Sequence, residues 1–146
     1  AQHDPNAASV VVMASYGAHR FLLTGDAEAA EERWIVERWG AHALRADVLK
    51  AAHHGSRTSS TDAWLDAVRP RLALISVGAG NTFGHPHPTV LTRFAERGIL
   101  ALRTDELGSM VIASDGQRLR IAGRDGRFSV PPPDRSPPTG GGVIVE

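Results

Sequence analysis

Residues 20–28 read Arg-Phe-Leu-Leu-Thr-Gly-Asp-Ala-Glu, and this stretch decides the fold. An apolar run ends on the pair Gly25-Asp26, and a helical pattern begins directly afterwards. The pattern predicts a strand, a tight turn and a helix, with Asp26 at the carboxyl end of the strand. In α/β proteins ligands bind in the crevice outside the carboxyl ends of strands, so Asp26 is well placed for a metal or a substrate. An N-cap is its alternative role, because Asp26 precedes the predicted helix.

Two later stretches end in the same way. The apolar residues 46–52 lead into residues 53–56, His-His-Gly-Ser, and residues 72–77 lead into a glycine-rich loop that contains His85. Three successive strands would therefore deliver one aspartate and two histidines to a single edge of a sheet.

The rest of the chain also alternates between strand and helix patterns. Residues 9–16 and 20–24 predict a hairpin, and residues 27–39 predict a helix that Gly40 ends. Further strands are expected at 46–52, 71–77, 99–103, 109–113 and 117–121, further helices at 61–67 and 89–97, and turns at 105–108 and 115–116. Residues 1–123 are thus expected to form one partial domain of the α/β class. The Pro- and Gly-rich residues 124–146 are expected to be a disordered tail or linker.

Composition limits the functions that the chain can have. The 146 residues are 42% apolar, and sixteen basic residues balance sixteen acidic ones, so no global field attracts nucleic acid or a membrane. No apolar run approaches the roughly 20 residues of a membrane-spanning helix, and no membrane contact is expected from this segment itself. The chain contains no cysteine, so any metal must be held by histidines and carboxylates.

Asp26, one of His53 and His54, and His85 are the candidate metal ligands. A carboxylate has two oxygens and can bridge two ions, which suits Asp26 to a position between them. Neighbouring histidines on an extended chain point to opposite sides, so His53 and His54 cannot both face one site unless the chain turns between them. A polar loop between strand and helix is the alternative for this pair.

Three further residues are candidates for substrate contacts. Ser56 offers a hydroxyl, Asn81 an amide and Lys50, the only lysine, an ammonium group. As alternatives, Asn81 braces its own loop and Lys50 is solvated. His87 is expected to be exposed and without a role in the site.

Five motifs together identify a family. They are LLTGDAE, DVLKAAHHGS, TSS, ISVGAGNTFGHPHP and RTDELGSMVI, in this order. Over residues 6–121 the chain resembles the metallo-β-lactamase-fold hydrolase domain of the ComEC type of competence protein. The resemblance implies an αββα sandwich with a two-metal site at one edge of its sheets. Members of this fold carry a His-x-His-x-Asp-His motif in their first half, and none precedes Asn6. The chain is therefore expected to be the second half of such a sandwich.

The resemblance also implies roles for the site residues. Asp26 would be the bridging metal ligand, His85 and His53 would be further ligands, and His53 and His54 would be catalytic. The cofactor would be two divalent ions, zinc or manganese, that activate a water molecule.

The implied activity is metal-dependent hydrolysis of phosphodiesters, such as a nuclease acting during DNA uptake. Hydrolysis of another ester or a lactone is an alternative, and so is a non-catalytic structural or binding domain. The expected partners are DNA or another phosphodiester and the first half of the domain. The expected location is extracytoplasmic or membrane-associated, through a longer parent.

The isolated chain is expected to be inactive, to bind divalent metal weakly and to self-associate. The reason is an apolar sheet face that a partner half would cover. Residues expected to face that gap or the helices include Val10, Val12, Leu22, Val48, Leu74 and Ile75.

Overall fold

A computed structural model describes residues 8–123 and 129–130. The strands are β1 (Val12–Tyr16), β2 (His19–Leu23), β3 (Val48–Lys50), β4 (Leu72–Ile75), β5 (Leu100–Arg103), β6 (Met110–Ser114), β7 (Leu119–Gly123) and β8 (Ser129–Val130). The helices are α1 (Ala29–Leu44), α2 (Asp62–Val68), α3 (Pro88–Glu96) and the single turn α4 (Thr104–Leu107), and a 3₁₀ segment spans Ala52–Gly55.

Strands β1 to β5 form one sheet in their order along the chain. β1 and β2 are the predicted antiparallel hairpin, whereas β2, β3, β4 and β5 are parallel neighbours. The strands that precede Asp26, His53 and His85 are therefore adjacent, as the sequence predicts.

Alternate residues of this sheet face two different cores, as the period of two in a strand requires. Leu22, Leu49 and Ile75 pack with the helices, in a cluster that includes Trp64 of α2 and Phe94 of α3. Their sequence neighbours face the opposite side of the sheet.

A second sheet, in the order β6-β7-β8, covers that opposite side. Val48 and Leu72 of the first sheet pack there against Leu119 and Ile121 of β7. The described residues thus form helix, sheet and sheet layers, consistent with the second half of an αββα metallo-β-lactamase-type sandwich.

The expectation of an uncovered sheet face is wrong for two of the six residues, and two others face the helices, a position that the expectation also allowed. Leu22 and Ile75 are buried against the helices, and Val48 and Leu74 pack in the core between the two sheets. Only Val10 and Val12 are exposed, by 74% and 44%. The chain's own β6–β8 sheet supplies the cover that sequence reasoning assigned to another segment.

Smaller differences concern element boundaries. Gly40 interrupts α1 as predicted, with φ 72° and ψ 159°, but helical structure resumes as far as Leu44. The turn predicted at 105–108 overlaps the single turn of α4. The predicted tail, residues 124–146, lies outside the described residues except for Ser129 and Val130, whose backbone pairs with β7. Across the described part of the chain, no helix has the length and apolar character needed to cross a membrane.

Candidate metal centre

Asp26 lies in a tight turn directly after β2. The Ala27 amide donates to the Thr24 carbonyl at 3.1 Å, and the Asp26 amide donates to the Ser9 hydroxyl at 3.1 Å. The N-cap residue of α1 is Glu28 and not Asp26, so the N-cap alternative for Asp26 is wrong. Its carboxylate is partly exposed and available to a ligand.

The His53-His54 pair occupies a left-handed turn after β3. The φ angles are 45° for His53 and 54° for His54, a region that residues other than glycine rarely adopt. Gly55 follows with φ 79°, and a Cβ there would lie 2.7 Å from Cβ of Pro86. The chain therefore turns between the two histidines, the condition under which both side chains can approach one site. Non-glycine residues in this conformation concentrate at functional sites.

His54 approaches Asp26. Its Nδ1 lies 2.6 Å from the Ser76 carbonyl oxygen, and its Nε2 lies 3.8 Å from Oδ1 of Asp26. Since a carbonyl oxygen only accepts hydrogen bonds, Nδ1 donates, and in the neutral ring the lone pair is on Nε2, on the Asp26 side. A backbone carbonyl that fixes the far nitrogen in this way is a common arrangement for a metal-binding histidine.

His53 is held by Glu28, a residue that sequence reasoning did not single out. Nδ1 of His53 lies 2.8 Å from Oε1 of Glu28. An ionised carboxylate accepts only, so Nδ1 donates, and in the neutral ring of His53 the lone pair is on Nε2. Glu28 closes the LLTGDAE motif, and its position two residues after Asp26 is the signal that could have identified it.

His85 completes a row of three imidazoles. Its ring centroid lies 5.7 Å from that of His53, which lies 6.3 Å from that of His54. Burial, together with the nearby His53, His54 and His87, lowers the pKa of His85 below its ordinary value. Its buried Nδ1 has no hydrogen-bond partner within the described residues. An imidazole with a lowered pKa and an unpaired buried nitrogen suits a metal ligand.

Asn81 braces the loop that presents His85. Its Oδ1 accepts from the His85 amide at 3.1 Å, and its Nδ2 donates to the His85 carbonyl at 2.7 Å. The loop-bracing alternative agrees with these contacts. His87 is the N-cap of α3, and its Nδ1 accepts from the Thr89 amide at 3.2 Å.

Ser56 and Lys50 also have partners within the chain. The Ser56 side chain is buried and lies 2.9 Å from the Thr58 hydroxyl. Nζ of Lys50 donates to the carbonyl of Gly25, the residue before Asp26, at 3.0 Å. Burial lowers the pKa of Lys50, although the Asp26 carboxylate opposes that shift. The substrate contacts assigned to Ser56, Asn81 and Lys50 stay predictions.

The side chains of Asp26 and His54 could form part of a metal site. Asp26 and His54 converge through one carboxylate oxygen and one lone-pair nitrogen. Within the residues that the structure describes, no group of three or more histidine, cysteine or acidic side chains is arranged to hold an ion. The edge of the sheet thus supplies two converging donors with two further imidazoles beside them.

Comparison with known proteins agrees with this architecture. The sequence model of the Metallo-beta-lactamase superfamily matches residues 1–79. ComE operon protein 3 of Bacillus subtilis is 35% identical over 128 residues, which cover 88% of this chain and 15% of that protein. Competence protein ComA of Neisseria gonorrhoeae is 37% identical over 123 residues, 81% of this chain and 18% of that protein.

A third relative, Recombination protein 2 of Haemophilus influenzae, is 35% identical over 124 residues, which cover 85% of this chain and 15% of that protein. The chain therefore spans about a sixth of the length of these relatives. The competence names among them confirm the resemblance inferred from the five motifs.

Proposed function

The chain belongs to the metallo-β-lactamase superfamily, and from this premise we propose that it is part of a metal-dependent hydrolase that cleaves phosphodiester bonds of DNA during DNA uptake. The observation that supports this best is the convergence of Asp26 and His54, 3.8 Å apart, beside His53 and His85. The competence names of the relatives support DNA as the substrate, and they favour a membrane-associated or extracytoplasmic parent.

Asp26 and His54 would hold a divalent ion, zinc or manganese, while His85, the further ligand that the resemblance implies, lies beside this pair and is not grouped with it. Sequence reasoning assigned the histidine ligand of the HHGS motif to His53, but the lone pair of His54 is the one near Asp26. Additional ligands, and any second ion, would involve residues outside this set. When bound, such an ion polarises a phosphoryl oxygen and activates water for attack.

His53 suits a proton-transfer role. Its Nδ1–H is held by the Glu28 carboxylate, so Nε2 is the nitrogen that takes up or releases a proton. The carboxylate fixes the orientation of the ring and stabilises its protonated form, as a carboxylate does for a general-base histidine. Glu28 is therefore a positioning residue in this proposal.

A non-catalytic binding domain is the second candidate. It is favoured by the lack of a complete three-ligand group among the described residues. In that case the left-handed histidine turn would serve only to connect β3 to α2.

The deciding experiment measures metal content and hydrolysis by the intact protein. After treatment with a chelator, the protein is reloaded with zinc or manganese. It is then assayed on single-stranded DNA, on bis(p-nitrophenyl) phosphate, on p-nitrophenyl acetate and on a lactone. We expect cleavage of both phosphodiesters that depends on the metal and that is restored by reloading. Preferential hydrolysis of the acetate or the lactone would overturn the proposed substrate, and no hydrolysis with no stoichiometric metal would favour the binding domain.

A further inference from the structure

Phe83 is an exposed aromatic ring beside the candidate metal centre. Its side chain is 81% exposed, more than any other large apolar residue in the described part of the chain. The ring stacks on that of His85, with centroids 6.0 Å apart and an interplanar angle of 21°. An aromatic side chain two residues from a candidate ligand is thus presented to solvent instead of to the core.

Phe83 lies in a loop that hydrogen bonds hold in place. Asn81 bonds to both the amide and the carbonyl of His85 and also donates to the Gly78 carbonyl at 3.2 Å. After the loop, the His87 amide donates to the Gly55 carbonyl at 2.8 Å, which ties it to the histidine turn. These bonds hold the backbone on either side of Phe83, so a ligand that binds there has less of the loop to order.

We propose that Phe83 is a stacking platform for a nucleobase of the substrate strand. The inference rests on the proposed function, because it assigns the base next to the cleaved phosphodiester to this ring. Bases of single-stranded DNA stack on exposed aromatic side chains, and such stacking tolerates any sequence. The row formed by Phe83, His85, His53 and His54 leads from the base to the Asp26–His54 pair that would act on the phosphate.

The chemistry of the loop favours a neutral planar group over a phosphate. Residues 78–84 read Gly-Ala-Gly-Asn-Thr-Phe-Gly and carry no charged side chain. A phosphate would instead be attracted to the metal centre. A flat, neutral base covers the flat ring, whereas the acyl chain of a simple ester lacks the π-face for stacking.

Binding without a metal tests this inference separately from hydrolysis. The affinity of the intact protein is measured in EDTA by fluorescence anisotropy, with a labelled 12-nucleotide oligothymidylate and an abasic strand of equal length. The two probes have the same phosphates and differ only in their bases. We expect wild type to prefer the strand with bases, and Phe83→Ala to bind that strand roughly tenfold more weakly. Binding of the abasic strand should not change.

Three matched variants test whether the preference for bases depends on an aromatic ring at position 83. Phe83→Trp should keep the preference for bases, and Phe83→Leu, which is apolar but not aromatic, should lose it. Trp39→Ala removes an exposed ring on α1 and should bind both strands as wild type does. Equal affinity of wild type for both strands, or unchanged binding by Phe83→Ala, would overturn the inference. Base preference that depends on Phe83 without any metal-dependent cleavage would uphold it while the proposed hydrolysis fails.

Discussion

His53 and His54 are neighbours in sequence but have different partners. The Nδ1 proton of His53 is bonded to a carboxylate and that of His54 to a carbonyl, so each ring has its lone pair on Nε2 in a different place. The residues alone leave open which histidine faces Asp26, and the family resemblance assigns the ligand to His53. The answer depends on two left-handed backbone conformations, which no periodicity reveals. Glu28 was missed because an acid at a helix start is usually explained by the helix itself.

Asp26→Ala should abolish metal-dependent cleavage, with a loss of more than about a hundredfold in kcat/KM, because it removes a charged ligand. Stability should change by less than about 0.5 kcal/mol, because Asp26 is partly exposed and is not the helix cap. An N-cap role for Asp26 would instead have predicted a loss of about 1 kcal/mol. Kinetics and urea unfolding of the same preparations measure both effects.

His87→Ala is the matched control. It should leave cleavage near the wild-type level and lower the free energy of unfolding by about 0.5–1 kcal/mol, because His87 caps α3. His87→Asn should restore that stability, since asparagine is a good N-cap. Equal activity of wild type and Asp26→Ala would end the metal-ligand assignment.

At the scale of elements, a buried carboxylate joins α1 to the segment before α2. The two carboxylate oxygens of Glu32 accept from the Ser60 amide at 2.6 Å and the Thr61 amide at 2.9 Å. Arg93 of α3 donates to the carbonyls of Ser59 and Ser60, both at 3.3 Å. The Ser59 hydroxyl in turn donates to the Ala52 carbonyl at 2.8 Å, next to the histidine turn. Glu32 thus stabilises the segment that supports the metal centre.

Glu32→Gln should destabilise the protein by about 1–3 kcal/mol at pH 4.5, because the amide cannot accept both backbone bonds as well as the carboxyl group does. Burial raises the pKa of Glu32 above 4.5, although its bonds to Ser60 and Thr61 and the charge of Arg93 oppose that shift. The folded state then binds the proton more tightly than the unfolded state. The stability contributed by this proton is complete below pH 4.5 and decreases as the pH rises through the raised pKa.

Urea unfolding from pH 4 to pH 8 tests the direction of this pH dependence of stability. The difference in unfolding free energy between wild type and Glu32→Gln should narrow as the pH rises. Glu37→Gln, at an exposed acid on the same helix, should follow the wild-type curve. A constant difference between wild type and Glu32→Gln across this range would contradict the assignment.

The order of elements was largely predictable because their signals are local. The β1–β2 hairpin, the Thr61 cap of α2 and Pro88 at the start of α3 follow from a few adjacent residues. The Glu32 contacts were not predictable, since they join residues 28 and 29 positions apart in the chain. The short helix α4 differs from the turn predicted there because four residues give too little pattern to separate a turn from one turn of helix.

At the scale of the whole molecule, two sheets share a core that sequence reasoning did not anticipate. The hairpin turns of the sheets also meet, since Nδ1 of buried His19 lies 2.7 Å from the Ser114 hydroxyl and the Ala18 amide donates to the Gly116 carbonyl at 2.6 Å. Pairing between distant strands depends on contacts that a single sequence does not display. Of the residues expected to face the gap, the two that stay exposed are Val12 on the edge strand β1 and Val10 just before it.

Self-association of the isolated 146-residue chain should accordingly involve the edge strand β1. Val12 and Tyr16 are exposed there by 44% and 60%, and no described strand pairs with the outer edge of β1. An unpaired apolar edge is a template for pairing with another chain, and a charged side chain suppresses such pairing. We expect wild type to associate as its concentration rises, and Val12→Lys to shift it towards the monomer in sedimentation velocity.

Trp34→Lys separates an edge effect from the general effect of adding charge. This tryptophan on α1 is 61% exposed, and its replacement should leave association as in wild type. Both substitutions are at exposed positions, so each should change the free energy of unfolding by about 0.5 kcal/mol or less. A wild-type chain that stays monomeric at every concentration would contradict the prediction. Association abolished by Trp34→Lys but not by Val12→Lys would instead assign the contact to α1, because a β1 edge interface cannot depend on a helix side chain alone.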